Sequence, residues 1–226
     1  YNKNIVLMTA YNLRFLPSLI EFKSKIQTNK IGSIYSVQSE IGQYLPSWRP
    51  QSDYKDSVSA KKSLGGGVLL ELSHEIDYLS WIFGSIVWVN SCISKMSNLE
   101  VDVEDSAKVI LGFESTNESQ LIASLNMDFI RHDSTRRCFA IGEKGTLLWD
   151  GILGSVQYFE KGAKDWVTIF SSKLKRDYTY EEQIKAFFSS IESNELSCIS
   201  GDDGAKTVSV IEAIKKSSYI GSTVYL

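Results

Sequence analysis

The spacing of apolar residues changes period several times along the chain, and each change marks an element. Residues 5–10 (Ile-Val-Leu-Met-Thr-Ala) form a short apolar run that reads as a buried strand. Over 15–29, Leu19, Ile20, Phe22 and Ile26 recur at helical spacing. Pro17 suits the first turn of that helix, and Lys30-Ile31-Gly32 ends it. Residues 33–44 alternate (Ile34, Tyr35, Val37, Ser39, Ile41) and predict a long strand. Pro46 and Pro50 bracket Trp48-Arg49, and neither suits a central strand. Residues 46–64, rich in Ser, Lys and Asp, are therefore expected to form a long loop, a length usually kept for function or mobility.

Beyond the loop a helix is expected over 68–83, closing at Gly84. Strands follow at 87–94, 106–113, 120–129, 136–142, 145–149, 155–159 and 166–170. Turn residues such as Thr116-Asn117-Glu118 and Gly142-Glu143-Lys144-Gly145 separate them. Helices over 180–193 and 204–219 close the chain, the second announced by Gly201-Asp202-Asp203-Gly204, with acidic residues at its start. Residues 224–226 add a last short strand. Consecutive strands with short turns predict an α+β fold: a predominantly antiparallel, open β-sheet with helices on one face. Residues 1–226 form a single domain of ordinary size. Residues 121–127 alternate imperfectly, which leaves room for a subunit interface on the open face.

The densest chemistry lies in Gly65-Gly66-Gly67, Glu71, His74 and Asp77. Glu71, His74 and Asp77 stand three apart in turn, so one unbroken helix would carry all three on one face. The glycines ahead of them allow positive φ and close approach of a ligand. Histidine titrates near neutrality, and a neighbouring carboxylate would orient it and raise its basicity. Leu69, Leu70, Leu72, Ile76, Tyr78 and Leu79 make this helix apolar nearly all round, so its acids need partners or a pocket. Tyr44, Trp48 and Arg49 on the preceding loop could wall a hydroxylated ligand, the arginine suiting a carboxylate or phosphate. Asp53-Tyr54 is a weaker candidate on the same loop, and His132 reads as surface.

Composition narrows the function classes. A net charge of −3 argues against a nucleic-acid footprint, and the basic pairs Lys61-Lys62 and Arg136-Arg137 read as solvated surface. Cys92, Cys138 and Cys198 are odd in number and far apart, which fits a reducing cytoplasm better than a disulfide framework. No apolar run is long enough to cross a membrane. Two distant histidines with no thiol pair argue against a metal site. The chain holds no G-x-G-x-x-G after a predicted strand, opens without Met, and reads as a piece of something longer.

Three segments resemble the C-terminal domain of the glucose–fructose oxidoreductase / inositol dehydrogenase / rhizopine-catabolism family. They are Ala10-Tyr11-Asn12-Leu13-Arg14-Phe15-Leu16-Pro17 with Lys30-Ile31-Gly32-Ser33-Ile34; Gly65-Gly66-Gly67 through His74 and Asp77 to Phe83-Gly84; and Phe187 through Ser200-Gly201-Asp202-Asp203-Gly204 to Glu212-Ala213-Ile214 and Ser217. The resemblance implies a domain like the C-terminal domain of dihydrodipicolinate reductase, with a Rossmann domain outside this chain. It implies an oxidoreductase that uses NAD or NADP on a sugar, sugar derivative or cyclitol. His74 would be the proton shuttle, aided by Glu71, with Tyr44, Trp48, Arg49 and Asp77 on the substrate and Arg14 near the cofactor. The family's catalytic lysine, in a Glu-Lys-Pro motif, would lie upstream. Many members place an aspartate four residues before the histidine; here that position is Leu70 and the acid is Glu71, three before. A homodimer or homotetramer through the open sheet face is implied, and the fragment alone is expected to be inactive. Two other readings share the resemblance: a non-catalytic sensor or assembly module, and an NAD-dependent glycoside hydrolase.

Overall fold

A computed structural model describes residues 5–114, 120–193, 195 and 197–226. Nine strands form one mixed sheet: β1 (Ile34–Gly42), β2 (Ile86–Ser94), β3 (Ser106–Phe113), β4 (Ile122–Asp128), β5 (Thr135–Gly142), β6 (Gly145–Asp150), β7 (Ser155–Glu160), β8 (Val167–Ser171) and β9 (Val224–Tyr225). Their order is β8-β7-β6-β5-β1-β4-β3-β2-β9. Only β1 and β4 run parallel; every other neighbouring pair is antiparallel. The strand following the first helix thus sits in mid-sheet, flanked by β5 and β4, rather than at the start of a meander. The predicted turn at 116–118 lies outside the described residues.

Helices α1 (Pro17–Gln27), α2 (Val68–Glu71), α3 (His74–Phe83), α4 (Tyr178–Ser193) and α5 (Gly201–Ile220) complete the molecule. α1 packs on β6, β7 and β8, α2 on β3 and β4, and α5 on β2. Between them lie fully buried Leu19, Phe22, Val37, Leu69, Ile76, Leu79, Leu111, Leu125 and Trp149. Each such side chain contributes about 1.5–3 kcal/mol of transfer free energy. Polar atoms in this layer are paired: the Trp149 indole donates to Ser18 Oγ at 3.0 Å, and the Tyr78 hydroxyl meets Ser39 Oγ at 2.7 Å. On the opposite sheet face Phe139 and Phe159 pack edge-on to Trp166 at 6.3 and 5.5 Å.

Two expectations fail here. Residues 5–10 form no strand. They run against the start of α5 instead, with the Thr9 amide donating to the Ile199 carbonyl. The helix expected over 68–83 is broken: Leu72 takes φ −105 and ψ 24, the turn tightens, and α3 restarts at His74. The loop at 46–64 is built from single 3-10 turns, including Leu45–Ser47, Tyr54–Asp56 and Val58–Ala60. α5 begins three residues earlier than expected, because Ser200 and Asp203 form a capping box. The three cysteines are unpaired, and among the described residues no helix is long and apolar enough to cross a membrane.

Candidate active site

The break in the helix sets the site. His74 opens α3 beside the edge of Tyr11, with ring centroids 5.4 Å apart. It lines a cleft of about 260 Å³ with Asn12, Gln43, Trp48, Glu71, Arg136 and Tyr180 among its neighbours. Burial pushes the imidazole pKa down to about 4, with the Arg136 charge adding to the effect. The ring is therefore neutral at physiological pH, and its Nδ1 is buried with no hydrogen-bond partner among the described residues. A carboxylate that raises its basicity was expected. The acids nearest in sequence are engaged elsewhere, so the perturbation has the opposite sign.

Those engagements are specific. Glu75, fully buried, accepts from Arg136 Nε at 2.7 Å and Nη2 at 3.3 Å. Arg136 reaches it from β5 by laying its stem across Gly151; a Cβ there would come within 2.9 Å of Arg136 Cδ. Asp77, 1% exposed, accepts from Arg14 Nε at 3.0 Å and Nη2 at 2.6 Å. Arg14 also reaches Asp203 at 3.3 Å and lies over the Trp81 ring. Two ion pairs thus pin the first turns of α3, Glu75 to the sheet and Asp77 to the segment before α1. Such pins matter because Ser73, at the N-cap position, makes no side-chain cap bond.

The expected residues therefore divide. His74, Glu71 and Trp48 line the cleft together. Glu71 Oε2 accepts from Ser59 Oγ at 2.7 Å, and the Trp48 indole donates to the Gln43 carbonyl at 3.2 Å. Asp77 is not a cleft residue: three residues after His74 on α3, its carboxylate is taken up in the salt bridge with Arg14. Tyr44 does not line the cleft either; its ring packs on His132 at 4.4 Å. Arg49 is exposed outside it. The cleft arginine is Arg136, expected on the surface. Arg14 lines a separate cavity of about 550 Å³ with Asp77, Trp81, Asp203 and Lys206. Arg14, Asp77 and Asp203 there are engaged with one another, and Lys23 covers the Trp81 face at 3.7 Å, so the smaller cleft is the better candidate centre. Asn12, Gln43, Tyr180 and Arg136 were not singled out from sequence. Asn12 had a signal, since it lies within the first resembling segment.

The glycines serve the chain itself. Gly65 and Gly67 take φ +82 and +109. A Cβ on Gly66 would collide with the Val58 carbonyl and lie 2.7 Å from that of Ser59; one on Gly67 would strike the Glu104 carboxylate. What approaches closely is the loop that carries Ser59 to Glu71. Among the described residues no cluster of His, Cys, Asp or Glu could hold a metal ion.

His74 thus stands in a polar cleft on a mixed sheet backed by helices. The model of the oxidoreductase family's C-terminal alpha/beta domain matches residues 23–226, and the chain belongs to that family. The chain is 23% identical to the myo-inositol 2-dehydrogenase of Thermotoga maritima, over 95% of its length and 62% of that protein's. It is 34% identical over 95 residues to the levoglucosan dehydrogenase of Pseudarthrobacter phenanthrenivorans, which is 41% of this chain and 24% of that one. Among solved structures, levoglucosan dehydrogenase in complex with NADH and levoglucosan superposes with a TM-score of 0.85 at 21% identity, covering all of this chain and 67% of that one. The aldose–aldose oxidoreductase of Caulobacter crescentus, complexed with glycerol, superposes with a TM-score of 0.81 at 22% identity, over 98% of this chain and 64% of that one. The chain thus spans about three-fifths of the length of the inositol dehydrogenase it matches.

Proposed function

We propose that this chain is the substrate domain of an NAD(P)-dependent dehydrogenase acting on a hydroxyl of a sugar, sugar derivative or cyclitol. The observation that carries the reading is His74: a neutral imidazole with an unengaged buried nitrogen, in a cleft walled by Glu71, Asn12 and Gln43. Such walls suit a polyhydroxylated ligand, and the cleft's size suits a small one. His74 accepts the hydroxyl proton. Burial and the Arg136 charge then disfavour the imidazolium, so the proton is passed on rather than kept. Glu71, held by Ser59 on the same wall, is the acceptor best placed in this chain to receive it. A nicotinamide dinucleotide, when bound, would supply the hydride acceptor; most of its binding surface belongs to a part of the parent protein outside these residues. The parent assembles as a dimer or tetramer through the open sheet face that carries Phe139, Phe159 and Trp166. Unpaired cysteines support a reducing cytoplasm.

The test is turnover by the full-length parent with NAD and NADP against a polyol panel that includes myo-inositol and levoglucosan. His74→Ala is expected to lower kcat at least 100-fold, in line with loss of a general base. Unchanged turnover in that variant would remove His74 from the mechanism. Glycoside cleavage without net NAD(P)H formation would move the parent to the hydrolase reading.

A further inference from the structure

Among the described residues, Arg136 is the one permanent cation on the cleft that holds His74. Its side chain is fixed at both ends. The stem crosses Gly151, where a Cβ would come within 2.9 Å of Cδ, and the head is held by fully buried Glu75 through Nε and Nη2. That leaves Nη1 without a partner among the described residues, and 21% of the side chain stays open. Glu75 has no exposed surface, so a ligand entering the cleft meets the guanidinium and not the carboxylate behind it. The same asymmetry is felt at His74, where the Arg136 charge adds to burial in disfavouring the imidazolium. An ion pair kept only for stability gains little over apolar packing of the same volume. A guanidinium held rigid with free N–H groups is instead a preorganised receptor for a planar oxyanion.

We propose that Arg136 is the specificity-determining residue of this cleft and that the substrate carries a carboxylate: a sugar acid, either an aldonate or a uronate, in preference to the neutral sugar. The inference rests on the oxidoreductase reading above and narrows its substrate class. One cation calls for one anionic charge. Glu71 lines the same cleft, so a phosphate dianion would meet a carboxylate as well as the arginine, and that like-charge approach selects against it. The remaining polar walls, Asn12, Gln43 and Glu71, suit the hydroxyls of the same molecule. The carboxylate is unchanged in the reaction. The carbon bearing the reacting hydroxyl gives its hydride to the dinucleotide, and the hydroxyl proton goes to His74, leaving a carbonyl.

The experiment uses the full-length parent with NAD and NADP. The probes are D-glucuronate, D-glucose and D-glucose 6-phosphate, which share one ring, with D-gluconate and D-glucitol as an open-chain pair. Both kcat/KM and calorimetric affinity are measured. The wild type is expected to favour the carboxylate of each pair by about tenfold or more, the worth of one charged hydrogen-bonded contact. Arg136→Gln alone would leave Glu75 buried and unpaired, so it is combined with Glu75→Gln. In that double variant the preference for the acid over the neutral sugar should vanish. Arg136→Lys, which keeps the charge and loses the planar fork, should retain part of it. If the double variant does not fold, a lowered preference in the lysine variant gives the same answer. Activity that falls equally on acid and neutral sugar would overturn the inference and leave Arg136 a structural role. A wild type that favours the neutral sugar or the phosphate, or that binds neither acid, would overturn it too. The oxidoreductase reading fails separately: a parent that binds neither NAD nor NADP and turns over no probe, yet holds the acids through Arg136, would retire that reading and leave a carboxylate-binding site.

Discussion

His74 is the residue on which the site turns, and its environment inverts the usual logic of a histidine with acids nearby. Glu75 is adjacent in sequence, yet its carboxylate is spent on Arg136. What His74 feels is burial and a guanidinium. The unfolded chain takes up a proton on this residue near pH 6.5, whereas the folded chain refuses it until about pH 4. Below pH 6.5 the unfolded state therefore binds more protons, and stability falls as pH drops towards 4. His74→Gln, which cannot titrate, should flatten that fall. Urea unfolding of both proteins between pH 4.5 and 7.5 checks this; parallel curves would place His74 in a more solvated setting. Activity should likewise keep a deprotonated His74 well into the mildly acid range.

At the scale of elements, α2 ends at Glu71 and α3 starts at His74, and both residues line one cleft, while Asp77 further along α3 pairs with Arg14. The loop before it is held close by missing side chains. A Cβ on Gly66 would run into backbone carbonyls of Val58 and Ser59, which cannot swing aside. Gly66→Ala should cost about 1–3 kcal/mol, the usual range for overpacking, and should loosen the bond from Ser59 to Glu71. Gly65 has open space around it and only its φ of +82 to satisfy, so Gly65→Ala should cost about 1 kcal/mol, the low end of the left-handed penalty. Denaturant midpoints of the two variants give the comparison, and equal losses would mean that the packing against Val58 is not tight.

At the scale of the whole molecule, the domain offers a cleft for a small ligand and no glycine-rich phosphate loop. The 226-residue chain should therefore bind NADH only weakly, and titration calorimetry showing micromolar or tighter binding would contradict the division of labour proposed above. Its sheet was readable as antiparallel and open, because hairpins are local and their alternation and turn residues lie within a few positions of each other. The insertion of β1 between β5 and β4 was not readable. That pairing joins segments some ninety residues apart, and nothing in the period of Ile34–Gly42 names its neighbours.

The sequence alone located most of the helices and strands, though neither the missing strand at 5–10 nor the break at Leu72, and it carried the resemblance and drew attention to His74, because periodicity, turn chemistry and a rare residue in a glycine-led segment are local properties. Tertiary structure decided which groups face one another. Asp77, expected on one face with His74, is taken up by Arg14, and Glu75, not singled out from sequence, is the buried anchor of Arg136. Ion-pair choice depends on distances across the fold, which the local pattern of a helix does not carry.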